Sequence, residues 1–456
     1  MWRKLVRRVA GPAAACAMAA AGLWPAQAAQ GASAVIDVPC SAAALASDMS
    51  SVTSGGTLSL TARCGYRLTA GLPVVNADLT ILGNGATLRR SQAPATPAFA
   101  ILSIDSGTVA VSNLNFANGA GAISVTGASS SLTLQGGTFT GNNATSGGAI
   151  YDNTGQGNLS VTGATFTGNT AAGSGGAIYT GPLGGNLSVT SDTFTGNTAG
   201  GGGGAIFDFN VYGGNITDCG FYRNRAADGG AIVADSIGGG VLDGVFHSNN
   251  ATQDGGAILS IYAPLSVGGT ISGNHAGSDG GGIYLGSLQY ADVGMTLTAA
   301  VQGNSAEDGG GIYSFGSVAD LTNSTIDHND ATADGGGIYN YQVGVVGYGT
   351  VNLETSKVSG NEAGADGGGI YTTGGLATVT ASGTPVVHNA AVSGGGGIYE
   401  GPGATVTLTN SPVLDNKPDN CEPPGSIADC TAERPHDALW RRSSRRQRGR
   451  AISPIA

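Results

Sequence analysis

Basic residues are nearly missing from the body of this 456-residue chain. Of 19 Lys and Arg, four (Arg3, Lys4, Arg7, Arg8) open the chain and seven lie between Arg434 and Arg450, which leaves eight for everything between. That middle holds 28 of the 30 acidic residues, because only Glu433 and Asp437 fall in the tail; its formal charge is near −20, against −11 for the whole chain. A surface that acidic repels phosphate backbones, which excludes nucleic acid as a partner, and it favours cations. Amphipathic runs of the roughly ten residues a helix needs are also scarce, which excludes a helical architecture. Past the N-terminal region no apolar stretch approaches the about 20 residues of a membrane span, so no transmembrane segment is expected in the mature chain. The 81 glycines show no Gly-x-y period, which excludes collagen.

What is there begins with an export signal. Residues 1–28 combine the basic start, an apolar run from Val9 to Trp24 and a small-x-small ending, Pro25-Ala26-Gln27-Ala28. A secreted, extracellular or cell-surface location is therefore expected. Cys16 leaves with the signal. Cys40 with Cys64, and Cys421 with Cys430, bracket the two ends of the mature chain and are expected to form disulfides in an oxidising compartment. Cys219 is left over inside the body and reads as a small buried hydrophobe.

The glycines recur in a block, Gly-Gly-Ala/Gly-Ile, ending at Ile150, Ile178, Ile206, Ile232, Ile258, Ile283, Ile312, Ile338, Ile370 and Ile398, with a weaker copy at Gly121-Ala122-Ile123. Most spacings are 25 to 29 residues. A second anchor precedes each isoleucine: Phe139-x-x-Asn142, Phe166-x-x-Asn169, Phe194-x-x-Asn197, Phe221-x-x-Asn224 and Phe246-x-x-Asn249. Later copies keep the Asn and exchange the Phe for Ile271, Val301, Ile326, Val358, Val386 or Val413. A third short β-prone piece, such as Leu159-Ser160-Val161, completes each copy. Strands this short cannot bury a face alone, so copies must stack into one core. The fold class that follows is all-β: a right-handed, single-stranded parallel β-helix of about ten to thirteen coils with a short N-terminal capping helix. Ser41 to Ser51 supplies that helix, with Ser41 as N-cap. The Gly-Gly pairs suit corners with positive φ, and the repeated Asn suits a ladder from coil to coil. The chain divides into the signal at 1–28, an N-terminal cap with the first coils at 29–100, the repetitive β-helix at 101–417, a C-terminal cap loop at 418–432 and a basic tail at 433–456, expected to be disordered.

Phe166-Thr167-Gly168-Asn169 followed by Gly175-Gly176-Ala177-Ile178 resembles the repeats of the polymorphic outer-membrane protein family, and with relaxed spelling the resemblance covers about residues 115–417. It implies a secreted β-helical passenger, often adhesive. Nothing after Cys430 reads as strands of a membrane barrel, so anchoring by that device is not expected. Val38 to Ser91, with Cys40, Gly55-Gly56-Thr57-Leu58 and Leu79-Thr80-Ile81-Leu82-Gly83-Asn84-Gly85, is similar to the entry region of CSLREA-type secreted β-helix proteins, although Cys40-Ser41 is followed by alanines.

Two columns follow from stacking. Asp228, Asp254, Asp279, Asp308, Asp334 and Asp366 each stand four residues before an isoleucine in six consecutive coils. Such carboxylates suit either a row of Ca²⁺ sites or Asx turns that accept from the Gly-Gly amides just after them. Calcium is the one cofactor raised. Directly after the isoleucines come Tyr151, Tyr179 and Phe207, then Val233 and Leu259, then Tyr284, Tyr313, Tyr339, Tyr371 and Tyr399. Alternation turns them outward, where an aromatic column stacks on sugar rings or simply holds register. Between Ile123 and Ile398 only Arg223, Arg225 and Lys357 are basic, and Arg223 and Arg225 beside Asp228 are the one lyase-like grouping. The Gly-His-Gly and Arg-x-Lys segments of β-helical hydrolases are absent, as is a Ser-His-Asp arrangement. His247, His275, His328 and His388 stand in separate coils, and the coils read as regular throughout. The expected function is a monomeric, non-catalytic surface protein for adhesion or polysaccharide and cell-surface binding. A polysaccharide lyase or glycoside hydrolase of the parallel β-helix class is the competing reading.

Overall fold

A computed structural model describes residues 35–182, 185–209, 213–235, 239–286, 294–342 and 349–430. The expected signal at 1–28 and basic tail at 433–456 lie outside the described residues.

One coil shows the plan. Leu159–Thr162 runs along a first face and Thr165–Thr167 along a second. Beyond Asn169 a two-residue strand, Thr170–Ala171, turns the chain toward a third face, Ile178–Thr180. Each strand pairs in parallel with its equivalent in the next coil: Leu159 with Leu187, Phe166 with Phe194, Ala171 with Ala199, Ile178 with Ile206. Repetition builds a parallel β-solenoid of about 13 turns. The columns reach further back than the first legible copy, since Ile123 pairs with Leu102 and Ile104 in turn pairs with Val75.

Alternation turns the same residues inward at every level. Phe116, Phe139, Phe166, Phe194, Phe221 and Phe246 stack with ring centroids 4.7–5.1 Å apart, and Ile271 and Val301 continue the column. Beside them every Asn of the Phe-x-x-Asn anchor is buried. Its Oδ1 accepts from the backbone N–H and the Nδ2 of the Asn one coil earlier, and its own Nδ2 donates to the next Asn and to the carbonyl of the earlier Phe, as at Asn169. The expected ladder therefore exists and runs unbroken from Asn142 to Asn416, where Asn420 receives the last pair of bonds.

In the Gly-Gly corners the first glycine has φ between 56° and 67° in all ten copies, from Gly147 to Gly395. At Gly335 an added Cβ would lie 2.8 Å from the Ile338 carbonyl oxygen and 2.9 Å from the Tyr339 Cβ, so only glycine closes this corner against the residue that follows the isoleucine.

Both ends are covered. Ala42–Ser51 is a helix whose N-cap Ser41 accepts from the Ala44 N–H, and its Leu45 and Met49 are buried with Leu58 and Tyr66 in the first coils. Cys40 is bonded to Cys64, and Cys421 to Cys430. Cys421 pairs with Ile398 and so takes the last place in the isoleucine column.

The coils are not regular throughout. Elsewhere a single left-handed residue, such as Gly163, Ser191 or Asn323, turns the corner between the first and second faces. At Asp243 and Thr298 that conformation is missing, and Gly240–His247 and Gly294–Gln302 continue as single strands through the corner; Leu265–Ser272 and Gly214–Tyr222 are also single strands, though Gly269 and Asp218 keep a positive φ and Gly214–Tyr222 carries a register shift. The strands of the first two faces are continuous there.

Candidate functional site

The Gly-Gly corner brings together two features that lie five residues apart in sequence. Asp228, Asp254, Asp279, Asp308, Asp334 and Asp366 form a half-buried column on one side of it. Tyr284, Tyr313, Tyr339, Tyr371 and Tyr399 form a column on the other. The two are close enough that the carboxylate charges act on the phenols. Burial first, and then Asp254, Asp279 and Asp228, push the Tyr284 hydroxyl up. Burial and then Asp334 push Tyr371 up to about 12. The face is thus an acidic edge beside a row of neutral phenols.

The aspartates are not Asx turns on their own corner. The Gly-Gly amides are used between coils, as Gly229 and Gly230 donate to the carbonyls of Asp254 and Gly255. Four of the six carboxylates instead accept from the backbone N–H of the aspartate one coil on: Asp254 to Asp228 at 3.4 Å, Asp279 to Asp254 at 3.2 Å, Asp334 to Asp308 at 2.9 Å and Asp366 to Asp334 at 2.8 Å. Asp279 is the break in this chain, because the Asp308 N–H donates to the Ser278 carbonyl. Without that donor, burial and the charges of Asp254, Asp308 and Glu307 push Asp279 up to about 7. Burial also raises Asp254, Asp308, Asp334 and Asp366. Among the described residues no three carboxylate, imidazole or thiol groups gather as a ligand set for a metal ion.

Centroids of Tyr284, Tyr313, Tyr339, Tyr371 and Tyr399 lie 4.8–5.2 Å apart and their planes stay within 23°. Each inner ring is sandwiched by its neighbours, so its faces are unavailable for stacking on a sugar and only its edge is left for contact. Tyr313 is only 8% exposed. Tyr151, Tyr179 and Phe207 make a shorter stack near the other end, and buried Val233 and Leu259 separate the two.

The lyase-like grouping does not assemble. Arg223 takes a left-handed turn position at φ 54°, Arg225 is exposed, and neither is ion-paired with Asp228. The four histidines are exposed; His247 and His275 meet Ser272 and Ser305 in the next coil, and His328 pairs with Asp327 at 2.7 Å.

Where the corner is straightened, Asp192, Asp218, Cys219, Tyr222, Asp243 and Gly269 help line a groove of about 460 Å³. Asp192 is 1% exposed and is pushed up to about 7 by burial, while its oxygens accept from the Ala164 and Thr190 N–H groups. Cys219 is free and buried as expected, and burial raises its thiol to about 12, which removes it as a nucleophile. Both belong to a second ladder absent from the sequence reading. Here the side chain at the corner accepts from the N–H one coil earlier, as Ser324 does from Ala299, Ser356 from Ser324, Thr384 from Ser356 and Ser411 from Thr384.

Residues 163–181 and 193–208 match the family model of the Chlamydia polymorphic membrane protein repeat. The matches hold Phe166 to Asn169 with Gly175 to Ile178, and Phe194 to Asn197 with Gly203 to Ile206. The chain therefore carries this repeat. No curated protein matches it, and no solved structure does.

Proposed function

We propose that the chain is a non-catalytic, cell-surface β-helix whose Asp–Tyr face binds an extended, hydroxyl-rich polymer such as a polysaccharide. The repeat and the solenoid fold fit a cell-surface β-helix protein. The observation that carries the binding reading is the juxtaposition of the two columns over four successive coils, from Asp279 and Tyr284 to Asp366 and Tyr371. Together they offer phenol hydroxyls as donors and carboxylates as acceptors in each of those four coils, a pattern suited to a repeating ligand lying along the rod. Because the ring faces are covered, recognition runs through hydrogen bonds at the tyrosine edges. Replacing Tyr313, Tyr339 and Tyr371 together by Phe keeps the stack and removes the hydroxyls. This triple variant should lose retention on immobilised polysaccharides and on cell walls while melting like the parent. Undiminished retention would sink the reading.

A further inference from the structure

The eight basic residues of the body are unevenly placed, for Arg63, Arg67, Arg89 and Arg90 fall within the first coils. Parallel pairing sets Arg67 directly beside Arg89, and Leu68 beside Arg90, on the second face. Arg67 and Arg89 are exposed, Arg90 is half-buried, and among the described residues none of the three reaches a carboxylate. Two of them are nevertheless held in place. The Nε and Nη2 of Arg67 donate to the hydroxyl of Ser91 at 3.1 and 3.0 Å, and Ser91 is 3% exposed. The Nε of Arg90 donates to the Asn118 carbonyl at 2.9 Å and its Nη1 to the Pro97 carbonyl at 3.4 Å. Arg89 has no such tether. With Ser91, Gln92 and Asn118 the three guanidinium groups line a pocket of about 210 Å³.

Adjacent like charges repel unless a counter-ion lies between them, and here the protein supplies none. Two guanidinium groups fixed by hydrogen bonds, with unused N–H groups left over, and a third free to close make a preorganised fork for an oxyanion. Three positive charges suit a doubly charged group better than a single carboxylate. We propose that Arg67, Arg89 and Arg90 form a binding site for a tetrahedral oxyanion, phosphate or sulfate, as the free ion or as an ester on an anionic polysaccharide.

The full chain would be melted in sodium sulfate and in sodium chloride at matched ionic strength, in parallel with Arg67→Gln/Arg89→Gln and with Arg223→Gln/Arg225→Gln. A ligand bound to the folded state raises the midpoint, whereas the arginines between Arg434 and Arg450 are common to all three proteins and cancel. The sulfate-specific rise should be several degrees and saturating in the parent and in Arg223→Gln/Arg225→Gln, and should fall to the unspecific salt effect in Arg67→Gln/Arg89→Gln. Equal rises in all three would overturn the site. Elution from a dextran sulfate column separates the sources: earlier elution of Arg67→Gln/Arg89→Gln assigns an ester on a polymer. Co-elution with the parent, together with the lost sulfate rise, assigns the free ion.

Discussion

Asn249 donates twice to the carboxamide oxygen of Asn274, through its backbone N–H at 2.8 Å and its Nδ2 at 3.0 Å, and Asn274 repeats both bonds to Asn304. The Nδ2 of Asn274 also reaches back to the Phe246 carbonyl. One side chain thus satisfies buried groups in three successive coils. Asn274→Ala strands two donors of Asn249 and takes the side-chain donor from the Phe246 carbonyl, while the Asn304 oxygen keeps only the bond from the backbone N–H of residue 274. Each buried group left unmade costs about 1–3 kcal/mol, so a loss of about 3 kcal/mol or more is expected in urea unfolding. The exposed neighbour His275→Ala should stay within about 0.5 kcal/mol, the range of ordinary surface changes. Similar losses in the two variants would show that the ladder contributes no more than its surroundings.

Acid should stabilise this protein over a range where many proteins weaken. An unfolded aspartate titrates near about 3.9. Asp279 and Asp192 are both pushed up to about 7 in the fold, mainly by burial. A raised carboxyl binds its proton more tightly when folded. Its stabilisation is fully present below the unfolded value and is lost as pH rises through about 7. The melting midpoint should therefore climb as pH falls from 8 toward 5, and Asp279→Asn should flatten that climb. Asp327, lowered by Ser359 and His328 against the opposing effect of its burial, has the opposite sign and lies outside this column. A midpoint that drops on acidification over the same interval would contradict the burial of these carboxyls.

Calcium should leave the midpoint where sodium at equal ionic strength puts it. Asp228, Asp254, Asp308 and Asp334 each already give one oxygen to a backbone N–H of the next coil, and among the described residues no three carboxylates gather as a ligand set. Melting residues 30–433 in millimolar Ca²⁺ and in EDTA tests this. A saturable rise with Ca²⁺ would mean that the column opens to coordinate metal, and the aspartates would then be ligands.

Much of this structure was legible because the anchors are chemically distinctive. Phe-x-x-Asn and Gly-Gly-x-Ile recur at one spacing, so the aromatic core, the Asn ladder and the tight corner could be read from their types alone. The Ser324–Ser356–Thr384–Ser411 ladder could not. Its position is Ala164, Asp192, Cys219 and Gly244 in earlier coils, and serine and threonine are common at every other outward site. The bonding partner of the Asp column is not legible locally: an Asx turn would use the next amides, whereas the donor used lies 25 to 32 residues away. Asp243 and Thr298 lack the left-handed φ that Asp218 and Asn323 adopt at the same corner, a difference that residue type does not announce. Arg67 and Arg89 carry no signal in the sequence, because they precede the first isoleucine-anchored copy and only parallel pairing sets them side by side.

The continuous Asn ladder has a consequence for how such a chain can vary. Every inner coil hands the next one the same set of donors and acceptors, so excising or duplicating one whole coil leaves no orphaned amide. Length is free to drift while the rise from one coil to the next stays near about 4.8 Å. Any polymer that binds along the outside then meets a ruler of constant graduation and adjustable extent. The number of contacts it makes, and hence its avidity, becomes a count of coils that needs no new binding residue.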